Sequence, residues 1–213
     1  MSLKILSEKR GVLIGTAVAI KPLRENQKYR DIVAHEFNVI TPENAMKWKL
    51  ISRKRGVYNF QDADFITDFA KVNNQKIHGH VLAWHKQLPE WLVKGNFSSN
   101  ELKIILEKHI KTVLAHFKGK VEAWDVVNEA LEDRSGLLDK NRFWYKNLGP
   151  AYIEYAFRIA HEADPQAQLF YNEWGVEDLG KKSEGMYKLI KELVSKGVPV
   201  HGVGLQMHTG LGF

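Results

Sequence analysis

The strongest constraint on this fold is an alternation. Short apolar runs rich in β-branched residues recur along the chain, separated by longer stretches with helical periodicity. The short runs are residues 12–18, 39–41, 76–82, 121–127, 168–171 and 201–205. Pro42 closes the second, because proline cannot donate to a ladder inside a sheet. Residues 62–73 place Phe65, Ile66, Phe69, Ala70 and Val72 on one helical face. Residues 100–117 do the same with Leu102, Ile105, Leu106, Ile110, Val113 and Leu114, and Ser98 or Ser99 is the expected N-cap. Residues 150–163 and 185–195 carry the same pattern, and Gly197 follows as a helix stop.

Strands alternating with helices of this length predict parallel βα units, and six of them fit into 213 residues. An open doubly wound sheet and a barrel both satisfy that pattern. A nucleotide-binding doubly wound sheet wants a glycine-rich loop after its first strand, which Gly15-Thr16-Ala17 does not supply. The expected fold class is therefore α/β, of the TIM (β/α)8 barrel family, with about six βα units in a single domain over residues 1–213. Composition removes other classes. There is no cysteine, so no disulfide framework. No window is long and apolar enough to span a bilayer, so no membrane partner is expected. The formal charge is +6, but the lysines are dispersed. The densest basic run, Arg53-Lys54-Arg55, reads as a solvated turn, so nucleic acid is not an expected partner either. Residues 1–10 lack the apolar centre of a signal peptide, which leaves a cytoplasmic chain or a processed, secreted one, with secretion after signal removal favoured.

The carboxyl ends of barrel strands carry active sites. The fourth run climbs through Trp124-Asp125-Val126-Val127 to Asn128-Glu129 and stops. A carboxyl at that point suits a general acid on a glycosidic oxygen, and the amide beside it suits a sugar hydroxyl. The plain alternative is a strand that ends in polar residues because loops are polar. The second run leads into Glu43, Asn44 and Lys47, a carboxylate, an amide and an ammonium close enough to grip hydroxyls, or simply an acidic first helical turn. The third leads into His78-Gly79-His80-Val81-Leu82-Ala83-Trp84-His85, where His78, His80, Leu82 and Trp84 share one face of an extended strand. Trp84 can stack on a sugar ring. His78 and His80 can be core groups or, in a metal-dependent hydrolase, zinc ligands. The fifth run ends in Tyr171-Asn172-Glu173-Trp174 and the sixth in Gln206-Met207-His208.

Four stretches together resemble glycoside hydrolase family 10, the endo-β-1,4-xylanases. They are Ile40-Thr41-Pro42-Glu43-Asn44-Ala45-Met46-Lys47-Trp48, Gly79-His80-Val81-Leu82-Ala83-Trp84-His85, Trp124-Asp125-Val126-Val127-Asn128-Glu129 and Gly202-Val203-Gly204-Leu205-Gln206-Met207-His208. The resemblance runs through the whole chain. It implies hydrolysis of internal β-1,4-xylosidic bonds with retention, with xylan and xylo-oligosaccharides as partners and neither metal nor cofactor. Glu129 is then the acid/base, with Asn128 bonding the 2-hydroxyl of the sugar at the cleavage point and His208 completing the catalytic set. Glu43, Asn44, Lys47 and Gln87 hold the glycone sugars, and His80 and Trp84 line the subsite of the cleaved residue. Asn172 stands at the end of strand five, and Gln206 with His208 supports the nucleophile. Strand five departs from the family: Asn172-Glu173-Trp174-Gly175 replaces an Asn-Asp-Tyr-Asn type of sequence, which puts the local hydrogen bonding in question.

A retaining glycosidase needs a second carboxyl about 5–5.5 Å from the first. The resemblance places it, as a Glu, on a strand seven, and eight units at this spacing would need roughly 280–300 residues. Glu43 has a sugar-binding role, and Glu132 and Glu173 are expected on neighbouring loops. Three expectations follow. The chain to Phe213 by itself turns over slowly or only binds xylan. Glu129 lacks the negative neighbour that would hold its proton. The edges of strands one and six recruit a complementing C-terminal fragment or a second copy.

Overall fold

The computed structural model describes residues 1–208; the chain end at Phe213 lies outside them. The first half runs α1 (Leu3–Lys9), β1 (Gly15–Val18), α2 (Ile20–Glu25), α3 (Gln27–Glu36), β2 (Val39–Pro42), α4 (Trp48–Ile51), α5 (Gln61–Val72) and β3 (Lys76–Trp84). It continues with α6 (Glu90–Val93), α7 (Ser99–Phe117), β4 (Ala123–Asn128), α8 (Phe143–Leu148), α9 (Tyr152–Ala163), β5 (Gln168–Glu173), α10 (Lys181–Ser195) and β6 (Gly202–Leu205). The six strands form one parallel sheet in the order β1-β2-β3-β4-β5-β6. Each new strand is added on the same side, with helices between. That is how a barrel wall grows, whereas a doubly wound sheet reverses direction at a switch point. The architecture is a partial (β/α)8 barrel, as the alternation predicts.

Local chemistry explains where the elements begin and end. Ser98 caps α7: its Oγ accepts from Glu101 N at 3.3 Å, and Glu101 Oε2 accepts from Ser98 N at 2.8 Å, a reciprocal capping box. Leu102, Leu106, Ile110, Val113, Leu114 and Phe117 then bury one face of α7, while Ile105 at its margin is half-buried. Gly197 has φ +64°, and its N–H donates to Val194 O, ending α10 as a glycine can and most residues cannot. The periodicity did not reveal α1, α2 and α3. α1 and α2 are short, α3 buries only Val33 along its ten residues, and Pro22 sits in the first turn of α2, where no N–H is required. The available signal was Asn26, whose Oδ1 accepts from Tyr29 N at 3.0 Å and caps α3.

Strand limits follow pairing. β1 starts at Gly15, opposite Val39, so Val12 and Leu13 have no strand partner and remain exposed; the Val12 N–H donates back to Ser7 O. β3 extends to Trp84 because β4 supplies Asn128 opposite it. Gly79 lets the Trp124 ring lie against β3; a Cβ there would stand 2.4 Å from the ring. The registers of β3 against β4 and of β4 against β5 slip, between His80 and Ala83 and between Asp125 and Val127. The slip corrects one expectation: Val81, Leu82 and Ala83 are buried consecutively, so the face carrying His78, His80 and Trp84 does not run on through Leu82. Glu173 is likewise corrected: it is the last residue of β5 and fully buried, not a loop residue.

Candidate active site

Glu129 follows β4 directly and has φ +53°, a left-handed conformation that a glutamate adopts only when its surroundings impose it. Its N–H donates to Asn172 O at 2.9 Å, which ties the turn to β5. The carboxyl is nearly buried and has three donors: Trp84 Nε1 at 3.1 Å and Lys86 Nζ at 3.2 Å on Oε2, and Gln206 Nε2 at 3.3 Å on Oε1. Burial alone would raise its pKa, but the Lys86 ammonium, Gln206 and Trp84 more than offset this and hold it below the ordinary glutamate value. The sequence expectation concerned a missing negative neighbour; the lowering seen here has a different cause, the Lys86 cation and two neutral donors, which was not foreseen.

Around Glu129 the strand ends converge. The buried Asn128 amide lies 2.9 Å from that of Asn172 and 3.1 Å from that of Gln206. His208 meets Gln206 Oε1 at 3.0 Å, and among the described residues that amide is its link to Glu129. Trp84 is fixed from behind by Trp144 Nε1, which donates to its carbonyl at 3.1 Å. Lys47 Nζ lies 5.4 Å from the Trp84 ring centre and donates to Asn44 Oδ1 at 2.9 Å; Asn44 Nδ2 donates to exposed Glu43 at 3.2 Å. Burial lowers the Lys47 pKa, with Glu43 and Glu129 acting the other way. Gln87 stands apart: its backbone has φ +52° and its carbonyl accepts from Lys49 N, while its exposed side chain has no hydrogen-bond partner among the described residues.

His80 Nδ1 and His78 Nε2 meet the two oxygens of Asp125 at 2.7 and 2.8 Å. Both histidines thus orient against one buried carboxylate, which places His80 6.0 Å from Trp84. A metal-dependent reading finds no support here, because among the described residues no group of three side chains is arranged to hold an ion. Burial pushes the His78 pKa down, but Asp125 more than reverses this and leaves it above 6.5; burial pushes Asp125 up, and the histidines bring it below 3.8. His78 therefore contributes stability below its ordinary value, lost as pH rises through the raised one. Asp125 contributes above its ordinary value, and that is lost as pH falls through the lowered one. The stability penalty of His78→Gln is expected to be larger at about pH 5 than at about pH 8. Thermal midpoints of both proteins at the two pH values check this, and equal penalties would refute it.

Two groups beside the site were missed. Lys86 sits in the aromatic loop after β3, where a cation at a strand end was the available signal. Asp125 was legible as a charged residue midway along an apolar strand. Behind the site, Glu173 accepts from Leu131 N at 3.1 Å, Tyr171 Oη at 2.8 Å and Lys182 Nζ at 3.1 Å. A carboxylate so occupied is not poised to attack a sugar.

The profile of Glycosyl hydrolase family 10 matches residues 2–212. Endo-1,4-beta-xylanase B of Thermotoga neapolitana is 46% identical over 208 residues, covering 97% of this chain and 60% of the relative. Beta-1,4-xylanase of Dictyoglomus thermophilum is 49% identical over 183 residues, covering 86% of this chain and 51% of the relative. In three dimensions, xylanase 10B from Thermotoga petrophila RKU-1, solved in complex with xylobiose, superposes with a TM-score of 0.94 at 48% identity, covering 98% of this chain and 64% of that one. The chain thus spans about 60% of the length of the first of these relatives. A match across nearly all of this chain, on a partial barrel with Glu129 at a strand end, shows that it belongs to glycosyl hydrolase family 10.

Proposed function

We infer that this chain supplies the acid/base half of an endo-1,4-beta-xylanase site acting on xylan and xylo-oligosaccharides with retention. The observation that carries this reading is Glu129, buried at the end of β4 with Asn128, Trp84, Asn172 and Gln206 around it. In this reading Glu129 gives a proton to the departing glycosidic oxygen and later takes one from water. Asn128 bonds the 2-hydroxyl of the cleaved sugar, Trp84 and His80 line its subsite, and Glu43, Asn44, Lys47 and Gln87 hold the glycone. Gln206 and His208 stand where they can orient an attacking carboxylate.

We assign that carboxylate to none of the described residues. Its source would be further residues, a complementing fragment or a second copy docked on the β1 and β6 edges; Val203 and Leu205 of β6 remain 40% and 46% exposed. The second reading, xylan binding without turnover, is favoured by the Lys86–Glu129 ion pair, which opposes the protonated acid that cleavage needs.

Calorimetric titration with xylotriose, beside release of reducing sugar from xylan, separates the readings. Binding with release supports the enzyme, and binding without release supports the binding module. Neither binding nor release overturns both.

A further inference from the structure

Two ammonium groups stand near the Trp84 ring: Lys47 at 5.4 Å and Lys86 at 5.5 Å from its centre. Lys47 is engaged with Asn44, whereas Lys86 reaches the Glu129 oxygen that the Trp84 indole also bonds. The stem of Lys86 leaves the chain between half-buried His85 and Gln87, whose φ is +52°. That left-handed step belongs to the turn that presents the lysine to the carboxyl. We propose that Lys86 is a positioning residue for the acid/base: its ammonium pins one oxygen of Glu129 against Trp84 and favours the ionised carboxylate. The proposal rests on the acid/base reading of Glu129, but its test does not depend on turnover.

Other groups face Glu129 from each neighbouring element. Lys47, from the segment after β2, acts on it at longer range. His85, beside Lys86, is driven down to about 4 by burial, Arg142 and Lys86, and so titrates in the same range as a glutamate; it is common to the parent and every Lys86 variant. Asn172 from β5 and Gln206 after β6 are neutral amides, and His208 is a further neighbour through Gln206. Among the described residues, Lys86 is the cation in direct contact.

A first-step general acid must carry its proton, so a cation that holds it ionised draws the alkaline limb of kcat/KM toward lower pH. In any form of the protein that turns over xylan, removing Lys86 should move that limb up. The direct test is carbon-13 NMR titration of the Glu129 side-chain carboxyl in the 213-residue chain, assigned by its loss in Glu129→Gln. Lys86→Arg is expected to keep the midpoint near that of the parent, Lys86→Met to raise it, and Lys86→Glu to raise it further. A role limited to packing predicts no such order. Added salt should raise the parent midpoint and leave Lys86→Met nearly unmoved, because only the parent has a partly exposed ion pair to screen. Lys86 is more than half exposed, so the variants are expected to fold, and circular dichroism checks this. An unchanged midpoint in Lys86→Met, or equal midpoints in Lys86→Met and Lys86→Glu, overturns the proposal. Xylotriose binding by the same samples reports separately on the sugar-site reading: its loss in the parent would overturn that reading and leave the ion-pair result standing.

Discussion

Lys182→Met is expected to destabilise the fold by about 3–5 kcal/mol, a large effect for a single side chain. Lys182 is only 5% exposed. Its ammonium lies 3.1 Å from Glu173 Oε1, 3.0 Å from Asp133 Oδ1 and 4.2 Å from the Trp174 ring centre. Methionine fills similar volume but leaves Glu173 charged, fully buried and without its counter-ion. The donors that remain, Leu131 N and Tyr171 Oη, do not neutralise that charge. The ammonium ties three segments together: β5, the loop after Glu129 that carries Asp133, and α10. Urea unfolding followed by tryptophan fluorescence reads the loss. The double variant Lys182→Met with Glu173→Leu should recover much of it, since replacing a whole buried pair by apolar groups is often neutral. A midpoint unchanged in the single variant would show that the pair contributes nothing to stability.

Glu129→Gln is expected to cost roughly 10²–10⁴ in xylan cleavage in whatever assembly supplies the nucleophile, the usual range for a lost general acid/base. The amide keeps the shape and can still meet Trp84 or Gln206, but it cannot donate a proton to the leaving oxygen. The loss should depend on the leaving group. An aryl xylobioside with an acidic phenol departs without protonation and should suffer little in the first step, while a natural xylosidic bond suffers fully. Xylotriose affinity should survive, because the glycone contacts proposed for Lys47 and Asn44 do not involve the Glu129 carboxyl. Equal losses on good and poor leaving groups would count against the acid role of Glu129.

Much of this molecule was readable in order along the chain. Strand and helix periods are local properties, so the βα alternation, the capped start of α7 at Ser98 and the glycine stop at Gly197 needed no tertiary information. The short helices α1 and α2 escaped because so few turns carry no measurable period, and α3, with ten residues, buries only Val33 and so shows no apolar stripe. Within the site, the strand-end rule selected Asn128, Glu129, Trp84, Asn172 and Gln206, and the fold brings them together. The same rule placed Gln87, whose side chain finds no hydrogen-bond partner among the described residues.

What the sequence by itself determined is the class of fold and the identity of the residues at the mouth of the barrel wall, because both follow from patterns a few residues long. Tertiary structure alone decided which of those residues meet. Asp125 gathers both His78 and His80 because β3 and β4 run in register there, just before the slip that buries Leu82. Lys86 reaches Glu129 across 43 residues, and Lys182 reaches Glu173 from the first turn of α10. Glu129 takes a left-handed conformation that its type disfavours, because Asn172 holds its N–H. These pairings depend on register, bulges and helix placement, which set distances between residues far apart in the chain. They determine which donors face the Glu129 carboxyl, and with them the direction in which its pKa moves.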